Sequence, residues 1–399
     1  MPEPRATRIL VWMCVFIAVN QLGFGAIVPV VALYARSFGV PHAAIGVAIA
    51  VYGLARFLVA MPVGKMTDVL GRRAALALGG LVTAAGNLLC AYAPNFAVFV
   101  AARFVAGAGA ALVMIAGQIV LADITTPARR GRVMAIYHGV FLFAVGVGPY
   151  PGGVLAERFG LAAPFLVYAG AGALATAVAW LAVPDTRVAA MSAQAAPTLP
   201  PFAAQVRRLL TSHPGFLLVS LVGFMNAVVR TGALFNIVPV LAHDRLLLGT
   251  DRIGFGLALS SVVGLVLAYP AGVLVDRYGR KTIIVPATAA VGLSMLLFLT
   301  ATSYAGFLTA CVVWSVAVGV SGAAPAAYAA DVAPHGMNAA AMSTYRMLSD
   351  LGYVVGPIAL GVVTDVFGGD AALTTAAALM VVVAVLFARY APETYRFRA

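Results

Sequence analysis

Two clusters of charge, 208 positions apart, hold the side chains best suited to reversible electrostatic chemistry. The first lies in Gly64-Lys65-Met66-Thr67-Asp68-Val69-Leu70-Gly71-Arg72-Arg73 and is completed by Asp123. The second lies in Gly272-Val273-Leu274-Val275-Asp276-Arg277-Tyr278-Gly279-Arg280-Lys281 and is completed by Asp331. Asp68 ends an apolar run, where a carboxylate can face the positive N-terminal end of another helix. Arg72 can reach Asp123, and Arg280 can reach Asp331, because both aspartates close a later apolar run. At a membrane surface the dielectric falls below that of water and such pairs strengthen. Asp68, Arg72 and Asp123, repeated as Asp276, Arg280 and Asp331, therefore read as a charge latch in each copy.

A second set of polar residues interrupts the apolar runs themselves. Arg56, Arg103, Arg230, Arg346 and Asp350 each carry an insertion cost of about 2.5–3.5 kcal/mol, and charges of this kind face a cavity or a partner. Asp350 is the one carboxylate placed deep in a run, and Arg346 stands one helical turn before it. Two roles stay open for it, a proton-carrying acid or the static partner of Arg346. With Asn20, Gln21 and Asn226 these residues make a candidate proton-coupling or substrate cavity. The first run holds Asn20 and Gln21 but no acid, which counts against a cavity for strongly cationic molecules. The arginines suit an anionic, zwitterionic or neutral hydrogen-bonding substrate.

The elements that must position these residues are membrane helices. With 63% hydrophobic and 10% charged side chains among 399 residues, and a mean hydropathy of +1.01, the chain lies outside the range of soluble domains. A span needs about 20 apolar residues, and twelve such runs fit with short polar breaks. The net charge of +12 is distributed as a membrane protein requires, not as a nucleic-acid binder. With the N-terminus in the cytoplasm, Arg5, Arg8, Lys65, Arg72, Arg73, Arg129, Arg130, Arg132, Arg187, Arg207, Arg208, Arg277, Arg280, Lys281, Arg389, Arg396 and Arg398 fall on one side. Only Arg36, Arg158, Arg245 and Arg252 fall on the other, so both termini are expected to be cytoplasmic.

Cys14, Cys90 and Cys311 lie in apolar runs without pair spacing, and His42, His138, His213, His243 and His335 are scattered. No disulfide, metal or cofactor is expected. The same scatter argues against a membrane-embedded enzyme, and the lack of room for a soluble domain argues against a sensor.

The spans are expected at about 9–34, 43–63, 74–93, 96–121, 133–155 and up to 183, then about 216–241, 253–275, 282–302, 304–330, 340–363 and 372–390. Residues 1–183 and 214–399 form two six-helix bundles joined by a central cytoplasmic loop, 184–213. Within that loop, 202–210 reads either as a short helix lying on the inner membrane surface or as an unstructured basic linker. The 208-residue offset also carries Pro62 onto Pro270, Tyr137 onto Tyr345 and Gly148-Pro149 onto Gly356-Pro357. Such a duplication, without insertion or deletion from the second apolar run to the fifth, marks two parallel repeats of the kind found in large transporters. The copies are not equal in charge: Arg129, Arg130 and Arg132 correspond to Met337, Asn338 and Ala340.

Ala144, Gly148 and Gly152 recur every four residues and allow close helix approach, with Gly153 beside them. Pro149 and Pro151 remove backbone donors there and bend the helix. Gly352, Gly356, Pro357 and Gly361 form a looser copy. The stripe seals a route through the bundle or serves as a packing seam.

The duplicated Gly-Asp-Gly-Arg loops resemble the signature loop of the major facilitator superfamily, and the resemblance covers the whole chain. It implies an all-α fold of twelve transmembrane helices in two pseudo-symmetric six-helix bundles. It also implies that the charged cluster latches the two halves on the cytoplasmic side and breaks as the protein opens inward. The span-five stripe is similar to the motif of the family's drug:proton antiporters, although Ala144 replaces the usual leading glycine. Arg103-Phe104-Val105-Ala106-Gly107 resembles their fourth-span motif, with Ala106 where glutamine is common. The expected function is proton-coupled efflux of a small organic molecule, drug-like or metabolite, by a monomer in the cytoplasmic (inner) membrane. Uptake or facilitated diffusion of a small organic anion is the alternative. Small-molecule substrate, protons and membrane lipid are the expected partners.

Overall fold

The computed structural model describes residues 3–125, 127–183, 206, 207, 209, 214–322, 324–333 and 338–394. Most of the expected surface helix at 202–210 lies outside these. Every regular element among the described residues is helical. The first set comprises α1 (Glu3–Ile27), α2 (Val31–Arg36), α3 (His42–Leu70), α4 (Arg72–Ala91), α5 (Phe96–Ile124), α6 (Pro127–Val147), α7 (Pro149–Phe159) and α8 (Ala163–Ala182). The second begins with α9 (Pro214–Val228), a π-helical segment (Val229–Ile237) and α10 (Val238–Leu246). It continues with α11 (Thr250–Tyr278), α12 (Arg280–Thr300), α13 (Tyr304–Ser321), α14 (Ala324–Asp331), α15 (Asn338–Phe367) and α16 (Gly369–Tyr390). Joined where they run on, these helices supply 12 segments long and apolar enough to cross a membrane.

The helices stop where the sequence removes a donor or requires an unusual backbone. The expected first span breaks after Ile27, because Pro29 has no amide hydrogen to continue the ladder; the chain turns through Val30 N–H bonded to Ile27 at 2.9 Å. Span five runs on through Gly148, which keeps a helical φ of −50° and ψ of −39° and donates to the Ala144 carbonyl oxygen at 3.1 Å, although Pro149 and Pro151 remove two donors just beyond it. Span seven too stays helical, through the wider turns at Val229–Ile237, which precede Pro239, and so runs on beyond its expected end to Leu246. Gly71 and Gly279, one per repeat, adopt φ of 90° and 93°, a region that suits glycine, and this turns the chain sharply into α4 and α12. Asn95 caps α5 by accepting from Val98 N–H at 3.0 Å, and Ser303 caps α13 by accepting from Gly306 N–H at 3.2 Å. These caps too are 208 positions apart.

The chain forms two compact units: Met1–Val40 with Val47–Ala195 and Gly249–Ala258, and Pro41–Gly46 with Ala196–Leu248 and Leu259–Ala399. In the first, α4 packs on α5 and α8, and α1 on α6 and α8, around Met13, Phe16, Ile17, Leu76, Val113 and Val120. In the second, α12 packs on α13 and α16, and α9 on α15. Large apolar side chains such as Leu81, Leu174, Leu181, Val266 and Val385 are exposed. Lipid is the solvent in which so many exposed apolar side chains carry no penalty.

Candidate functional site

The turn between α3 and α4 holds the first charge pair. Because Gly71 redirects the chain, Arg72 begins α4 pointing back toward the end of α5, and its Nε donates to Asp123 Oδ2 at 3.0 Å. Its Nη1 donates to the Thr67 carbonyl oxygen at 3.1 Å, which ties the same guanidinium to the last turn of α3. The two side chains are only 6% and 10% exposed, so the pair is desolvated and its directed bonds matter. Arg73 turns the other way, donating from Nε to the Trp180 carbonyl oxygen at 2.6 Å with its guanidinium over the indole.

The second copy repeats the geometry atom for atom but in a wetter setting. Arg280 Nε donates to Asp331 Oδ2 at 3.1 Å and Nη1 to the Val275 carbonyl oxygen at 3.4 Å, with the side chains 14% and 36% exposed. Here the pair has an additional acid. Glu393 accepts from the backbone N–H of Arg280 at 3.2 Å and of Lys281 at 3.1 Å, and so caps α12. The segment carrying it is held by Tyr328, whose hydroxyl donates to the Pro392 carbonyl oxygen at 2.7 Å. Sequence reasoning missed Glu393, although Pro184-Asp185-Thr186 recurs as Pro392-Glu393-Thr394 at the repeat offset. Asp68 and Asp276 lie on α3 and α11, and their side chains are outside the described residues.

The intramembrane candidates divide into two groups. In the first unit Arg103 is 2% exposed, donates from Nε to the Ala48 carbonyl oxygen at 3.2 Å, and stands 4.5 Å from the Tyr52 ring centroid. Phe24 stacks on that same ring at 5.3 Å, so α1, α3 and α5 converge on one cation–π column. Arg103 Nη1 is buried with no hydrogen-bond partner among the described residues, as are both amide atoms of Asn20. Gln21 is buried and Arg56 half-buried. In the second unit Asn226 is half-buried, and Arg230 is exposed beside Phe235, at 5.5 Å, within the π-helical segment. Arg346 Nε lies 3.9 Å from Asp350 Oδ2 on successive turns of α15, with the side chains 60% and 46% exposed. The protein itself therefore buries Asp350 only in part.

The small-residue stripe lies against α1. A Cβ on Gly148 would come 2.7 Å from Gly25 Cα and from the Leu22 carbonyl oxygen, and one on Gly152 would overlap the Ala26 backbone. Ala144 is buried on the same stripe, while Gly153 meets the Thr250 carbonyl. In the looser copy Gly356 approaches Val228 of α9, a Cβ there falling 2.6 Å from Val228 Cα, and Pro357 stays within α15.

Twelve apolar helices in a duplicated plan, with a charged turn in each copy, define a multi-pass membrane transporter, not an enzyme. The chain belongs to the Major Facilitator Superfamily, whose family model matches residues 13–250 and again 219–399. An uncharacterized MFS-type transporter of Methanocaldococcus jannaschii is 23% identical over 363 residues, 90% of this chain and 91% of its own. Multidrug resistance protein 2 of Bacillus subtilis is 28% identical over 176 residues, 44% of this chain and 43% of that protein. Among solved structures, the D-xylose-proton symporter superposes with a TM-score of 0.77 at 15% identity, covering 97% of this chain and 99% of that one. The fold is thus the major facilitator fold, all-α with twelve spans in two pseudo-symmetric six-helix bundles, and it serves small-molecule transport.

Proposed function

We propose that this transporter exports a small organic molecule, drug-like or metabolite, against a proton gradient by alternating access of its two halves, residues 1–183 and 214–399, joined by 184–213. The observation that supports the reading is the close seam of Gly148 and Gly152 on α1, where a side chain on either glycine would overlap the Gly25 or Ala26 backbone, with buried Ala144 on the same stripe. Partial similarity to a multidrug resistance protein supports the direction of transport.

In this reading Asp68, Arg72, Asp123, Asp276, Arg280 and Asp331 form the cytoplasmic latch. Asp350 carries the proton beside Arg346, and Arg103, Arg56, Arg230, Asn20, Gln21 and Asn226 face the substrate. The buried, unpartnered amide of Asn20 and Nη1 of Arg103 favour a substrate with acceptor oxygens, anionic or zwitterionic. The protein works as a monomer in the cytoplasmic membrane with both termini inside. A potential of about 100 mV contributes about 2.3 kcal/mol for each charge moved, enough for one proton per cycle to drive appreciable accumulation.

Proteoliposomes loaded with a pH-sensitive dye test the reading. Under an imposed proton gradient, a panel of organic anions, zwitterions and hydrophobic amines should include a compound whose transport moves protons the opposite way. Flux that is unchanged when an ionophore collapses the gradient would favour facilitated diffusion instead.

A further inference from the structure

At the ends of α3 and α11 remote from the charged turns, two carboxylates hold two helix N-termini. Asp365 Oδ1 accepts from His42 N–H at 2.8 Å, and its Oδ2 accepts from Ala43 N–H at 2.8 Å; His42 Nδ1 lies 3.1 Å from Oδ1. Glu157 Oε2 accepts from Thr250 N–H at 2.8 Å and lies 3.0 Å from the Thr250 hydroxyl, which donates to the Gly153 carbonyl oxygen at 2.9 Å. The same 208-residue offset carries His42 onto Thr250 and Glu157 onto Asp365. It also carries Gly153, whose absent side chain admits the Thr250 carbonyl, onto Gly361, where a Cβ would lie 2.6 Å from the His42 carbonyl oxygen.

We propose that Glu157 and Asp365 are positioning residues of the transport cycle, paired caps whose release frees the first turns of α3 and α11. Both helices are divided between the compact units. Pro41–Gly46 clusters with the second unit while the rest of α3 belongs to the first, and Gly249–Ala258 clusters with the first while the rest of α11 belongs to the second. Each divided turn is seated by glycine against a backbone carbonyl, Gly46 on that of Pro357 and Gly254 on that of Pro149, again at equivalent positions, beside the fully buried Ile45 and Ile253. The directed carboxylate bonds add to that seat, so losing them loosens the first turn. Both acids are exposed at the protein surface. The opposite ends of the same two helices adjoin the pairs Arg72–Asp123 and Arg280–Asp331. α3 and α11 are thus tied at both ends, by a carboxylate on the first turn and by an arginine donating to the Thr67 or Val275 carbonyl oxygen on the last.

Ile45 and Ile253, equivalent by the repeat and fully buried in the two divided turns, give the readout. In the full-length protein carrying Ile45→Cys or Ile253→Cys, N-ethylmaleimide alkylation is followed peptide by peptide, with buried Cys90 and Cys311 as internal references. Asp365→Asn should speed alkylation in the Ile45→Cys protein, and Glu157→Gln in the Ile253→Cys protein, each about fivefold, the size of a lost helix cap. Cys90 and Cys311 should stay at their starting rates. Amide exchange at His42, Ala43 and Thr250, measured in the same acid variants without an added cysteine, should rise by a similar factor. Unchanged rates at both turns overturn the proposal. So does an equal rise at Cys90 and Cys311, which would make the caps general supports of the fold. No substrate or proton gradient enters the measurement, so its outcome is independent of the direction of transport.

Discussion

Arg72 Nε lies 3.0 Å from Asp123 Oδ2 with both side chains at most a tenth exposed, while the equivalent Arg280 and Asp331 meet at 3.1 Å with the carboxylate 36% exposed. Identical chemistry in unequal solvent gives unequal consequences. Removing one member of a desolvated pair leaves the other charge buried, at a cost of about 3–5 kcal/mol, whereas exposed pairs are worth about 1 kcal/mol or less. Asp123→Asn should therefore lower thermal stability in detergent markedly, and Asp331→Asn only slightly. Equal losses would show that burial does not set the strength of the two latches.

The latch role itself is read by Asp68→Asn, which should depress transport and raise cysteine accessibility on the cytoplasmic side while expression stays near normal. Asp276→Asn should act more weakly, since the loop facing it has lost the counterparts of Arg129, Arg130 and Arg132. Transport and accessibility both unchanged in Asp68→Asn would remove this residue from the latch.

Gly148→Val and Gly152→Val place three carbons where α1 leaves no room for one. Overpacking of this kind costs about 1–3 kcal/mol and forces the helices apart. Transport should fail or the protein should leak protons, as a vesicle acidification assay would show. Normal export by both variants would reduce the stripe to a packing seam.

Arg103→Lys keeps the charge but loses the planar face presented to Tyr52 and the Nε donor to Ala48. A cycle of Arg103→Lys, Tyr52→Leu and the double variant should give a coupling of about 0.5–2 kcal/mol in stability. Additive effects would mean that the column of Phe24, Tyr52 and Arg103 carries no interaction of its own.

Asp350→Asn removes a titrating group with little change in size. Uphill, gradient-driven flux should disappear while downhill exchange survives. If Asp350 serves only Arg346, the single change should lower stability and joint neutralisation of Arg346 and Asp350 should restore it. Retained uphill flux in Asp350→Asn would move proton coupling elsewhere, most directly to the surroundings of Arg103.

Span number, the duplication and the paired charged turns were all legible from residue order. Hydrophobic length sets a membrane crossing irrespective of packing, and an uninterrupted 208-residue repeat survives in glycines, prolines and aspartates whose backbone or charge roles tolerate few replacements. Gly71 and Gly279 are such positions, needed for a φ near 90°. The tertiary structure alone decided which acids are buried and which helix ends they hold. Glu157 and Asp365 look like ordinary surface charges in the sequence, and Asp350 looks deeply buried although its side chain is nearly half exposed. Burial depends on neighbours supplied by distant segments, and a count along one helix contains no record of them. The 323 positions that separate His42 from Asp365 hide a contact that only folding makes.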